Sequence, residues 1–173
     1  MLKVGDKVPE FSVLSDSAGE VKSSALKGKR YVVYFYPRDD TPGCTKEACS
    51  FRDNVPKFHD LGAPIYGVSD DDVKSHGKFT QKFALNFPLL ADPDHALING
   101  FGVWVEKSMY GKNYMGTARA TFVVGADGKV EHVWEKVSPE GHAEEVLAYL
   151  QGGKQGSAAE AASAKPAKKA PKK

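Results

Sequence analysis

The sequence predicts an α/β fold in which a mixed central sheet is flanked by helices. Three observations support this prediction. Strand-like and helix-like segments alternate along residues 1–150, which is the pattern of a sheet covered by helices. Residues 31–36 form a continuous apolar run rich in β-branched and aromatic side chains, as in a strand buried on both faces. Residues 120–134 have the pattern of an antiparallel hairpin.

The elements of the first half follow the strand at 31–36. Residues 44–61 suit a helix, although Pro56 should break or kink it. A second strand is predicted at 63–69. Three aspartates at 70–72 then place negative charge at the N-terminus of a helix that runs to about residue 83.

The second half contributes shorter elements. We expect an extended piece at 87–91 and a short helix at 95–101. Strands at 120–124 and 129–134 flank the turn signal Gly125-Ala126-Asp127-Gly128. Ser138, followed by Pro139, is predicted to cap the final helix.

The charge divides the chain into two regions. The 173 residues carry a formal net charge of +2. Residues 151–173 hold six Lys and one Glu, a net charge of +5, which leaves −3 for residues 1–150. We expect 1–150 to form one domain. We interpret 151–173 as a disordered basic tail rich in Ala, Lys and Pro, because it has no aromatic, Leu, Ile or Val residue to bury.

Several classes of protein are excluded at this stage. No run of 18 apolar residues exists, so no membrane span is predicted. The first seven residues lack the apolar stretch of a signal peptide, and the expected location is the cytoplasm. Two cysteines cannot form a disulfide scaffold. The two cysteines and five histidines also lack zinc-ligand spacing, so we expect neither a metal ion nor another cofactor.

The most informative residue is Cys44. A turn-rich loop after the strand at 31–36 delivers it to the start of a helix. Backbone N–H groups and the helix dipole there favour a thiolate over a thiol. The alternative, given equal weight from position alone, is a small buried hydrophobic residue. The neighbouring Lys46 and Glu47 are expected to be solvated.

Cys49 lies five residues after Cys44. On a regular helix this spacing separates the two Cα atoms by about 8.6 Å, whereas a disulfide usually needs about 4.4–6.8 Å. Either Cys49 is structurally inert, or the two cysteines form a disulfide after local unwinding. Pro56 is a candidate for limiting how far such unwinding spreads.

The residues around Cys44 resemble the active-site signature of peroxiredoxins. Pro37-x3-Thr41-x2-Cys44, together with a second cysteine five residues on, is similar to the peroxiredoxin Q (bacterioferritin comigratory protein) branch. Further similar segments are Val4-Gly5-Asp6-x2-Pro9-x-Phe11, Val68-Ser69, Phe87-Pro88-Leu89-Leu90-Ala91-Asp92 and Tyr110-Gly111-Lys112 through Arg119-x-Thr121-Phe122. The resemblance covers nearly all of 1–150 and implies a thioredoxin-like fold and thiol peroxidase activity.

The resemblance also implies roles for individual residues. Cys44 would be the peroxidatic cysteine that attacks hydrogen peroxide or an organic hydroperoxide and becomes a sulfenic acid. Cys49 would resolve it as a transient intramolecular disulfide, which thioredoxin, or in some members glutaredoxin, reduces. Thr41 would orient the thiolate and the peroxide, Gly43 would allow close approach of the backbone, and Arg119 would stabilise the thiolate and bind the substrate. Pro37 would shield the pocket.

Two other classes of function stay open from the sequence. The first is a chaperone or binding protein on the same scaffold, and the second is a redox sensor that signals through helix opening. The basic tail, 151–173, resembles arms that bind nucleic acid or acidic surfaces weakly and non-specifically. A solvated tail without a partner is the alternative. The peroxiredoxin Q resemblance further implies a monomer.

Overall fold

The computed structural model describes residues 1–152. Its strands are β1 (Ser12–Leu14), β2 (Glu20–Lys22), β3 (Tyr31–Phe35), β4 (Ile65–Ser69), β5 (Leu89–Ala91), β6 (Trp104–Met109), β7 (Lys112–Thr117), β8 (Ala120–Val124) and β9 (Val130–Trp134). Its helices are α1 (Ser23–Leu26), α2 (Pro42–Asp60), α3 (Val73–Phe83), α4 (Ala96–Phe101) and α5 (His142–Leu150). Strands and helices alternate along the central part of the chain, as predicted.

The central sheet is mixed, and β3 lies in its middle. The strand order is β5-β4-β3-β8-β9. β3 pairs in parallel with β4 and antiparallel with β8, while the β8–β9 hairpin closes the sheet. The predicted fold class, a mixed sheet flanked by helices, is therefore confirmed.

Alternation along β3 divides the core into two layers. Val32 and Tyr34 pack with the buried faces of α2, α3 and α5. Val33 and Phe35 point to the other side of the sheet and pack with α4 and with residues near the N-terminus. Every residue of β3 is buried, as expected for a strand covered on both faces. The loop after β3 leads from the carboxyl end of this central strand to the start of α2.

Two local predictions differ from the structure. The helix break considered at Pro56 does not occur, because α2 continues to Asp60. Proline leaves the carbonyl four residues earlier without its helical N–H donor, but here the Asn86 side-chain amide donates to the Arg52 carbonyl at 3.2 Å. The final helix begins at His142 after Gly141 rather than at a Ser138 cap. Gly141 has a φ of 74°, and its left-handed conformation turns the chain into the helix.

The β6–β7 hairpin was absent from the prediction. Its turn lies at Tyr110 and Gly111, both with positive φ, and most of its side chains are exposed or half-buried. None of the helices in residues 1–152 is both long and apolar enough to cross a membrane. The tail prediction for 151–173 falls almost entirely on residues outside the described range, so the boundary at 150 stays a prediction.

Candidate active site

The start of α2 presents Cys44 inside the protein. Thr41 is the extended N-cap residue and Pro42 the first helical residue, a position where the missing N–H of proline costs no helical hydrogen bond. The Thr45 N–H bonds to the Thr41 carbonyl at 2.8 Å. Cys44 follows in the first turn and is only 1% exposed. Its sulfur therefore lies near the positive end of the helix dipole and largely away from bulk water.

Arg119 reaches Cys44 from the other side of the site. It lies between β7 and β8, and its Nη2 is 3.4 Å from the Cys44 sulfur. Its Nη1 donates to Glu47 Oε1 at 2.8 Å. Burial lowers the pKa of Arg119, but the negative charges of Cys44 and Glu47 outweigh burial and raise that pKa above its usual value. The guanidinium thus stays charged and favours an anionic sulfur.

Glu47 was expected to be solvated, and that expectation was wrong. Its side chain is 1% exposed, and its Oε2 has no hydrogen-bond partner within residues 1–152. Burial raises the pKa of Glu47 to about 7, and the charge and hydrogen bond of Arg119 offset only part of that rise. Glu47 therefore fixes one arm of Arg119 while the other arm faces Cys44. Lys46 is exposed, as predicted, and pairs with Glu140 at 2.9 Å.

Thr41 and Gly43 lie at the start of α2, directly before Cys44. The Thr41 hydroxyl donates to the Arg38 carbonyl at 2.9 Å and makes no hydrogen bond to the Cys44 sulfur in the described structure. A Cβ at Gly43 would lie 3.2 Å from Arg119 Nη2 and 3.4 Å from Pro139 Cγ. Glycine thus leaves room for the guanidinium beside the helix start.

Pro37 and Cys49 are both half-buried. Pro37 is half-buried in the loop directly after β3. Cys49 is half-buried in α2, and both cysteines are free thiols. Because α2 is helical from Pro42 to Asp60, the separation of about 8.6 Å between the two cysteine Cα atoms applies to this structure. A disulfide between them requires a change in the helix.

Sequence reasoning assigned no partner to any histidine. The structure places His76, fully buried, against Asp39 in the loop that precedes α2. Donor atoms of Asp39, Asp71 and His76 lie within 4.8 Å of one another, which is a geometry that can hold a metal ion. Those atoms are already engaged in hydrogen bonds to each other and to neighbouring hydroxyl and backbone groups. The cluster is therefore satisfied as a hydrogen-bonded network.

Comparisons with known proteins show the family of this chain. The model of the AhpC/TSA family matches residues 4–133. Peroxiredoxin Bcp of Bacillus subtilis is 45% identical over 150 residues, which cover 87% of this chain and 96% of the relative. Peroxiredoxin Bcp of Escherichia coli K12 is 42% identical with the same coverage.

Solved structures share the fold. Xanthomonas campestris peroxiredoxin Q superposes with a TM-score of 0.80 at 41% identity, over 87% of this chain and 96% of that one. Xylella fastidiosa PrxQ, solved as a cysteine-to-serine mutant, gives a TM-score of 0.82 at 35% identity with the same coverage. Sequence, fold and site geometry therefore agree that the chain belongs to the AhpC/TSA family, in its peroxiredoxin Q/Bcp branch.

Proposed function

We propose that this peroxiredoxin reduces hydroperoxides with Cys44 as the peroxidatic cysteine. The Cys44 thiolate attacks one peroxide oxygen, the O–O bond breaks, and sulfur becomes a sulfenic acid. The departing oxygen takes up a proton and leaves as water or an alcohol. The observation that carries the proposal is the 3.4 Å approach of Arg119 Nη2 to the buried Cys44 sulfur. A fixed cation there stabilises both the thiolate and the charge that develops on the peroxide.

The loop residues assist this step in the proposal. Thr41 and Arg119 contact the substrate, Gly43 leaves space for both, and Pro37 covers the side of the pocket. The Thr41 hydroxyl turns from the Arg38 carbonyl toward the bound peroxide. A bacterioferritin comigratory protein of Xanthomonas campestris has been studied for alkyl peroxide reduction. We therefore include alkyl hydroperoxides with hydrogen peroxide as substrates of this chain.

Cys49 is the resolving cysteine in this proposal. Its thiolate attacks the Cys44 sulfenic acid, forms the S–S bond and expels hydroxide, which is protonated to water. Thioredoxin then reduces the disulfide by thiol–disulfide exchange and is itself oxidised. Glutaredoxin is the alternative reductant. The half-buried position of Cys49 on α2, one helical turn and a half from Cys44, supports this role once the helix opens.

Variants of the two cysteines test the scheme. Peroxide consumption is followed with thioredoxin, thioredoxin reductase and NADPH. Cys44→Ser should abolish consumption, whereas Cys49→Ser should be oxidised once and then fail to turn over. After one equivalent of peroxide, mass spectrometry should find the wild type lighter by about 2 Da and Cys49→Ser heavier by about 16 Da. Steady turnover of Cys49→Ser with thioredoxin would remove Cys49 from the mechanism.

The remaining assignments concern the protein as a whole. We propose a cytoplasmic monomer with a mildly acidic domain over 1–150 and a basic tail over 151–173 that contacts nucleic acid or acidic surfaces weakly. Deletion of 151–173 should leave peroxidase activity intact and abolish salt-sensitive retention on DNA. Unchanged retention would reject the nucleic-acid role, and sedimentation of the full chain tests the monomer.

A further inference from the structure

A buried carboxylate anchors the loop between β3 and Cys44. The Asp39 side chain is only 5% exposed. One of its oxygens accepts a hydrogen bond from the Tyr36 hydroxyl at 2.6 Å. The other accepts from Ser75 Oγ at 2.8 Å and lies 2.7 Å from His76 Nδ1. Asp39 thus ties the loop to α3 at a point two residues before Thr41.

The hydrogen bonds of His76 define its protonation. Its Nε2 lies 2.9 Å from the Leu90 carbonyl of β5, and a carbonyl only accepts, so Nε2 carries a proton. Nδ1 and the Asp39 oxygen, 2.7 Å apart, need a second proton between them. Each Asp39 oxygen already accepts a hydrogen bond from a hydroxyl group, so we assign the shared proton to His76. The pair is therefore an imidazolium and a carboxylate.

Loss of one proton would reverse this interaction. The Nδ1 lone pair of a neutral His76 would then face the Asp39 carboxylate at hydrogen-bond distance, away from water. The other groups that face the pair are the hydroxyl of Tyr36, the residue after β3, Ser75 on α3 and the carboxylate of Asp71. Burial lowers the pKa of His76, but the hydrogen bond and charge of Asp39, together with the Leu90 carbonyl and Asp71, raise it above its usual value.

The anchored segment is under conformational strain. Asp40 has a φ of 56°, in the left-handed region that non-glycine residues rarely occupy. Such a conformation persists only where its surroundings enforce it. On one side the backbone N–H of Asp39 donates to Asp71 at 2.8 Å, and on the other side α2 begins at Pro42. The Asp40 side chain itself is held by an exposed ion pair with Lys82 on α3, at 2.8 Å. We expect this solvated pair to hold the backbone weakly, so that without the Asp39 anchor Asp40 relaxes and carries Thr41 with it.

We infer that Asp39 and His76 are positioning residues for the peroxide step, and that loss of their shared proton at alkaline pH releases the 37–41 loop and slows the oxidation of Cys44. Neither residue touches the reacting atoms. They act through the loop that positions Thr41 and the first turn of α2, which carries Cys44. This inference rests on the proposed role of Cys44 and adds that pH controls the position of the 37–41 loop beside it.

The substitution Asp39→Asn removes the charge of the Asp39 side chain but keeps its hydrogen bonds to Tyr36 and His76. The amide oxygen still accepts from Tyr36, and the amide N–H donates to the Nδ1 of a neutral His76, whose Nε2–H stays on the Leu90 carbonyl. The loop then remains anchored without an ionisable pair. The rate constant of Cys44 oxidation by hydrogen peroxide is measured by single-turnover stopped flow between about pH 6 and 10. This readout involves neither Cys49 recycling nor a reductant.

The expected result concerns the ratio of the rate constants at about pH 9.5 and pH 7. In the wild type we expect this ratio to fall about tenfold, which corresponds to the loss of one buried hydrogen bond to a charged group. In Asp39→Asn this decline should be absent. Asp39→Ala, which leaves His76 and Tyr36 unpartnered, should lower the rate constant at about pH 7 about tenfold below that of the wild type, with no further decline at about pH 9.5.

A second histidine–aspartate pair provides the matched control. His95 Nε2 lies 3.2 Å from the Asp70 carboxylate, outside the 37–41 loop. Asp70→Asn should keep the wild-type pH profile. A decline in Asp39→Asn equal to that of the wild type would overturn the inference. So would an Asp39→Ala variant with a lower melting temperature but wild-type rate constants. Continued peroxide consumption by Cys44→Ser would instead reject the proposed function.

Discussion

The first turns of α2 should unwind when Cys44 and Cys49 form a disulfide. In the helix their Cα atoms are about 8.6 Å apart, beyond the usual upper limit of about 6.8 Å for a disulfide. Unwinding Pro42 to Cys49 removes eight residues from helical structure. The five helices of the described range contain 49 residues. Eight of these 49 are about one-sixth of the helical residues.

Far-UV circular dichroism measures this change directly. One equivalent of hydrogen peroxide should reduce the helical ellipticity at 222 nm by about 16%, since ellipticity scales with the number of helical residues. Amide hydrogen exchange locates the change. The N–H groups of residues 46–53 bond to carbonyls of 42–49 in the helix, so their protection should fall, whereas residues 57–60 should stay protected.

The Cys49→Ser variant is the control for oxidation without disulfide formation. Peroxide converts its Cys44 to a sulfenic acid, which imposes no distance on residue 49, so its ellipticity and exchange should stay close to those of the reduced protein. Helix unwinding would be ruled out if the mass of the wild type confirmed the intramolecular disulfide while its ellipticity and the protection of residues 46–53 were unchanged.

Three further predictions concern the groups around Cys44. The pKa of Glu47 is about 7 in the folded protein, against an ordinary value of 4.5. The free energy of unfolding should therefore fall by about 3 kcal/mol as pH rises from about 4.5 to 7, because Glu47 ionises more readily in the unfolded chain. Urea denaturation should show this loss in the wild type but not in Glu47→Gln. Gly43→Ala places a Cβ 3.2 Å from Arg119 Nη2. It should slow Cys44 oxidation about tenfold with little change in melting temperature. A rate constant within about twofold of the wild-type value would contradict this prediction. Arg119→Lys keeps a charge but cannot bridge Cys44 and Glu47, so stopped flow should find a rate constant lower by about 10²-fold, and a loss below about fivefold would count against the bridging role.

Sequence patterns predicted the parts of the fold that are buried on a regular period. β3 is a continuous apolar run and β8 is apolar apart from Thr121, and all residues of both strands are buried. The β6–β7 hairpin offers no such signal because its side chains are mostly exposed or half-buried, without a regular alternation between the two. Only the dipeptide Tyr110-Gly111 marks its turn, since glycine readily adopts positive φ.

The candidate site was predictable as far as local motifs extend. The loop and helix start around Cys44 follow from turn residues and helix-capping rules. The burial of Glu47 does not, because a charged residue in a helix is usually exposed and its partner Arg119 is 72 residues away. The Asp39–His76 pair likewise depends on α3 packing against the loop after β3. No local pattern in the sequence joins those two residues, which are 37 positions apart.

The continuity of α2 through Pro56 changes the expectation for how far oxidation unwinds the helix. Proline was a candidate boundary because it removes one helical hydrogen bond, yet the Asn86 amide replaces that bond at the Arg52 carbonyl. Arg52 Nη1 also donates to the Phe83 carbonyl at the end of α3, at 2.7 Å. The Asn54 side chain reaches Glu144 on α5, at 3.0 Å. These contacts hold α2 to its neighbours from Arg52 onward. Before Cys49 the polar tertiary contacts of the helix are those of Arg119 and the exposed Lys46–Glu140 ion pair. Unwinding should therefore stop near residue 50 because of tertiary contacts made by Arg52 and Asn54, several residues before the proline is reached.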